Sequence, residues 1–269
     1  MPSSNPAFSR GFPGAGNGPS AGWGAAPQQT YGGAPTQYDP YAAPSPYARS
    51  TTRYMTMDDV VTKTGLSFLV TVAAAAAIWA LPGQTGWGFA LPAVFVGLIL
   101  GLVISFRAIA SPVATLAYAA VEGVFLGALS EAFNSVYPGV VLQAVIGTMG
   151  VFAGMLVVYK TGAIRVTPKF TRWLLGALVG VLVLMAANLI AGLFGLNLGL
   201  RSGGGPAIIF SLLVIAIGAL SLLLDFDMAD EAIRRGAPAK FAWYVAFGLL
   251  VTVVWLYLEI LRLLSYFRE

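Results

Sequence analysis

Three carboxylates in this sequence, Glu122, Asp225 and Glu259, stand within or against long runs of Ala, Val, Leu and Gly. A carboxylate at the centre of a bilayer costs about 3 kcal/mol on insertion scales, so such a group faces a bundle interior, finds a partner or takes up a proton. The chemistry open to these residues is proton and cation binding, which makes them candidate ion-pathway residues. Glu122 lies mid-run beside Gly123 with no cation near it. It is expected to be protonated or hydrogen-bonded across helices. Asp225 abuts Leu222, Leu223 and Leu224, and Glu259 has Arg262 three residues on, where the two either pair internally on one helix face or serve a pathway. Arg107 ends a run, the place where an arginine snorkels to the interface or acts as counter-ion to a buried carboxylate. Asp227, Asp230 and Glu231 read as the polar end of a helix emerging into water.

Other chemistries are closed. The sequence has no Cys and no His, which removes disulfides, thiolate nucleophiles, imidazole bases and zinc sites built from those residues. Any pH sensing must use carboxylates. No pairing of nucleophile and base is visible, so the expectation is no enzyme and no cofactor. Asp225, Asp227, Asp230 and Glu231 remain possible oxygen ligands for a hard cation.

The elements that position these groups follow from hydropathy. With 58% hydrophobic residues, 10% charged residues and a mean hydropathy of +0.79, the chain carries more apolar surface than a soluble domain of 269 residues can cover. The apolar residues fall in blocks long enough to cross about 30 Å of hydrocarbon at about 1.5 Å per residue. The expected spans are Thr64 to Leu81, Phe89 to Phe106, Pro112 to Phe133, Gly139 to Tyr159, Trp173 to Phe194, Pro206 to Leu224 and Phe241 to Phe267. The fold class is therefore an all-α integral membrane protein, a seven-helix bundle over residues 51–269. Residues 1–50, rich in Gly, Pro, Ser, Gln and Tyr and lacking a signal-peptide core, read as a disordered tail. Thr56 or Asp58 is a suitable N-cap for the first helix. Four GxxxG pairs, Gly97/Gly101, Gly123/Gly127, Gly150/Gly154 and Gly176/Gly180, predict close helix packing.

The net charge of +4 does not point to nucleic acid, because the basic residues sit on alternate loops. Arg10, Arg49, Arg53 and Lys63 precede the first span, Arg107 follows the second, Lys160, Arg165, Lys169 and Arg172 join the fourth and fifth, and Arg234, Arg235 and Lys240 the sixth and seventh. Only Arg201, Arg262 and Arg268 fall on the other side. This asymmetry predicts a cytoplasmic N-terminus in a multi-pass membrane protein.

Several stretches resemble the Bax inhibitor-1 family, the transmembrane Bax inhibitor motif proteins, in a bacterial form. They are Leu256-Tyr257-Leu258-Glu259-Ile260-Leu261, Leu224-Asp225-Phe226-Asp227, Ser111-Pro112 followed by Ala120-Val121-Glu122-Gly123, and Met55-Thr56-Met57-Asp58-Asp59-Val60-Val61. The resemblance implies six helices around a central seventh and a calcium leak that depends on pH. It further implies that Asp225 and Glu259 share a proton and serve as the metal-facing pair, with Arg107 as latch. Two close carboxylates do not both ionise, so such a pair titrates without histidine. Meeting requires the last span to begin near Gly248, with Lys240 to Phe247 outside it, because a span starting at Phe241 would carry Glu259 about 27 Å deeper. The resulting expectation is a pH-sensitive calcium or cation leak working with bilayer lipid and calcium ions. The alternative is an interaction protein that modulates a membrane protease or stress-response partner.

Overall fold

The computed structural model describes residues 53–81, 87–196, 199–201 and 203–268. The expected tail over residues 1–50 lies outside the described residues. Seven helices are long and apolar enough to cross a membrane: α1 (Met57–Trp79), α2 (Trp87–Arg107), α3 (Pro112–Val136), α4 (Val140–Thr161), α5 (Pro168–Leu193), α6 (Gly204–Arg234) and α7 (Ala242–Tyr266). No strand occurs among the described residues.

Local sequence sets the helix ends. Thr56 caps α1, its hydroxyl accepting from the Asp59 amide while the Asp59 carboxylate accepts from the Thr56 amide, a reciprocal capping box. Ser111-Pro112 and Thr167-Pro168 open α3 and α5 with proline in the first turn, where its missing N–H costs nothing. Gly139 and Gly162, both at positive φ, bound α4.

Because successive helices alternate in direction, α1, α3, α5 and α7 all start on one side of the bundle, here the near side. There Met55 N donates to Ala237 O and Ala239 N to Arg53 O, fastening the strand-like entry of α1 to the turn between α6 and α7. On the far side, Arg268 donates to Pro138 O and to Gln143 between and along α3 and α4.

The last helix is central: 72% of its span is inside the protein, against 11% for α5. Val245, Leu249, Val253 and Leu256 pack toward α6, and Leu250, Val254, Ile260 and Leu261 toward the core shared with α3 and α4. Two of the four GxxxG pairs set helix approach. A Cβ on Gly127 would lie 2.5 Å from the Ala75 carbonyl oxygen, and one on Gly123 would collide with the Thr71 carbonyl, so α1 and α3 touch backbone to backbone. A Cβ on Gly150, Gly154, Gly176 or Gly180 would meet no neighbouring helix within 4 Å. Overpacking a close interface costs about 1–3 kcal/mol. Gly127→Val is therefore expected to lower the melting temperature of the detergent-solubilised protein, whereas Gly176→Val leaves it unchanged. Equal melting for both variants would contradict this account of the α1–α3 contact.

One span, α6, differs from the sequence expectation, while α7 keeps its expected extent and so excludes the start near Gly248 that a meeting of Asp225 and Glu259 requires. α6 runs ten residues beyond Leu224 to Arg234. Its polar end stays helical because Arg234 pairs with Asp230 and Glu231, and Arg235 with Glu231, at one-turn spacing. α7 begins at Ala242, directly after a short 3-10 turn over Ala239–Phe241.

Candidate functional site

The early start of α7 decides which residues meet. α6 descends from the far side and α7 returns from the near side, so their register is fixed by contacts at either end of a shared seam. Asp225 meets Thr252: Thr252 Oγ1 donates to Asp225 Oδ2 at 2.6 Å, and also lies 3.2 Å from the Gly248 carbonyl of its own helix. Toward the far side, Gly218 of α6 lies against Leu256, so closely that a Cβ there would come within 2.9 Å of the Leu256 side chain. Glu259 is further still along α7.

Glu259 is 4% exposed and its carboxylate is held by two arginines. Arg201, from the turn between α5 and α6, donates through Nη2 to Glu259 Oε1 at 2.7 Å, and Arg262 Nη1 lies 3.5 Å from the same oxygen. The second oxygen, Oε2, is buried and accepts no hydrogen bond from any described residue. A buried carboxylate oxygen without a donor is unusual in a folded protein. These groups line a far-side cavity of about 320 Å³, walled by Phe125 and Phe133 of α3, Met185 of α5 and Trp255 of α7.

The structure therefore does not bring Asp225 and Glu259 together. Thr252 and Glu259 are seven residues apart, which separates the two acidic levels by about 10.5 Å along the α7 axis. Neither a shared proton nor a single calcium ion ligated at about 2.3–2.6 Å fits that spacing. The physical reason is the one that the sequence spacing raised: residues 242 to 247 are helical, so the span does not start near Gly248.

Arg107 is not the latch in this arrangement either. It ends α2 on the near side, is exposed, and makes no ion pair among the described residues. Glu122 is half-buried under the Gly97 backbone of α2, where a Cβ would lie 3.2 Å from its Oε1. Its polar partner is Tyr118, one turn earlier on its own helix, rather than a group across the interface. Among the described residues no cluster of three acidic groups is arranged to hold a metal ion.

The family model described as Bax inhibitor 1 like matches residues 5–269. The chain belongs to that family. No curated protein matches the sequence. Membership agrees with the quoted stretches around Glu122, Asp225 and Glu259, which lie within the matched region. It leaves the work of each residue to the geometry.

Two site residues were not singled out as partners from sequence, Thr252 and Arg201. Arg201 did carry a signal, since it was one of three basic residues on the wrong side of the charge asymmetry. An arginine that breaks that pattern has a reason to be there, and here the reason is Glu259. Thr252 had a weaker signal, a hydroxyl within an otherwise aliphatic stretch from Gly248 to Val254.

Proposed function

We propose that the protein is a pH-sensitive calcium or cation leak of the bacterial plasma membrane, with its N-terminus in the cytoplasm and no catalytic activity. The observation that supports this best is a pair of acidic stations on opposite sides of a buried apolar contact, one facing the central helix from α6 and one carried on the central helix itself. Asp225 with Thr252 forms the near station and Glu259 with Arg201 and Arg262 the far one. Leu256, 1% exposed against Gly218, stands between them as an apolar barrier of the kind that closes a path by excluding water.

In this reading the two acids act in sequence rather than as a proton-sharing pair. A cation occupies either station only when the carboxylate is ionised, and at the far station it competes with Arg201 for Glu259. Protonation at low pH removes both attractions. Conduction therefore rises with pH, and each acid contributes its own titration to the profile.

The test is calcium flux into liposomes that contain only the purified full chain, measured at acidic and alkaline pH. Flux that needs no partner and is larger at alkaline pH is expected. Absence of flux at every pH with an intact fold would assign the protein to the interaction role instead, acting through a membrane-protein partner. Stoichiometric proton counter-transport would make it a transporter.

A further inference from the structure

Away from the acidic stations, α1 and α4 meet through Phe68 and Phe152, whose rings stand edge to face at 6.2 Å. Toward the far side a groove of about 490 Å³ opens between the two helices, floored by α7 at Val253, Val254 and Tyr257 and backed by α3 at Leu126 and Ser130. That volume lies within the range of about 300–1,000 Å³ typical of small-molecule sites.

Each hydroxyl on its wall makes a hydrogen bond within the protein. Thr71 donates from one hydroxyl that reaches the Ser67 and Ala119 carbonyls, Thr148 donates to the Ala144 carbonyl, and the Ser130 and Tyr257 hydroxyls share a 2.6 Å hydrogen bond. The wall is thus almost wholly apolar and carries no charged side chain, its one further polar group being the Trp79 indole at the rim. An alkyl occupant matches it. The mouth shows where such an occupant comes from, because it is continuous with Val72 and Trp79 of α1 and Leu142 and Val145 of α4, all exposed on spans that face lipid.

We propose that this groove is an acyl-chain site, taking an alkyl chain of a bilayer phospholipid and laying it against the central helix between the levels of the two acidic stations. Val253 and Val254 are 5% and 7% exposed, so lipid reaches α7 there only by entering the groove.

The experiment reconstitutes the full chain in phosphatidylcholine vesicles doped with a phospholipid bearing a diazirine in its acyl chain, followed by photolysis and peptide mass spectrometry. Adducts are expected on α7 at Val253 or Val254, alongside ordinary lipid-contact adducts on α5 at Leu182 and Val183, which are 62% exposed. Ala76→Trp and Val145→Trp fill the groove from opposite walls. Each is expected to lose the α7 adducts and keep those on α5, which also reports correct insertion, so that failure of one variant to insert leaves the other to decide. Wild-type protein labelled on α5 and not on α7 would overturn the proposal. So would α7 labelling that survives in an inserted groove-filling variant.

Discussion

Arg201→Gln is expected to lower the stability of the bundle by about 3 kcal/mol, because it strips the principal counter-ion from a carboxylate that stays buried. The Arg201 side chain is 25% exposed and that of Glu259 only 5%, so most of the loss comes from the carboxylate left in a low-dielectric site. Arg262 remains 3.5 Å away and keeps the cost at the low end of the range measured for broken buried pairs. At roughly 2–4 °C per kcal/mol for a domain of this size, the melting temperature should fall by roughly 6–12 °C. Replacing both partners removes the orphan charge, so Arg201→Gln combined with Glu259→Gln should recover most of that loss. Acidification should also narrow the gap between the single variant and the parent protein, since a protonated Glu259 no longer needs its cation. A double variant no more stable than Arg201→Gln alone would mean that Arg201 acts through packing and that the ion pair contributes little.

Hydropathy made the seven spans legible because lipid demands one long apolar run for each crossing, whatever the helix packs against. The centrality of α7 came from the family resemblance, and the burial of its span agrees with it. Register was not legible. A hydropathy run says that α6 and α7 cross, but the level at which Asp225 faces α7 depends on where the turn between them begins, and that turn starts only after α6 has continued to Arg234 on its own side-chain ion pairs. The polar end of α6 at Asp227, Asp230 and Glu231 was legible as a helix emerging into water, but the residue at which the turn to α7 begins was not. Two of the four GxxxG pairs failed for a related reason: Gly123 and Gly127 face α1 while Gly176 and Gly180 meet nothing, and the spacing within one helix carries no information on which face has a neighbour. The acidic residues themselves were visible from their cost in hydrocarbon, and their partners Thr252 and Arg201 were not, because partnership is a property of two helices.

Asp225→Asn is expected to reduce calcium flux at alkaline pH by at least about tenfold and to flatten its rise with pH. The exchange preserves shape and a hydrogen-bonding head beside Thr252, so the fold should persist and the change falls on charge alone. A unit charge about 4 Å from a carboxylate gains about 4 kcal/mol at an effective dielectric near 20, and a divalent ion more. Even a third of that gain is about a tenfold change in occupancy. Asp225 faces Thr252 and Gly248 of α7 across the seam, and Asp227, two residues on, lies on another face of its helix, so no other carboxylate stands in for the missing one. Asp230→Asn serves as control, because that carboxylate is 38% exposed, pairs with Arg234 and lies on the solvated end of α6. Glu259→Gln should reduce flux as well while leaving a residual pH dependence from Asp225, since the two acids titrate at separate stations. Identical profiles for Asp225→Asn, Asp230→Asn and the parent protein would show that the near station carries no ions. A pH response abolished entirely by either single exchange would instead restore a coupled pair, reached by a conformation in which α7 has moved along α6.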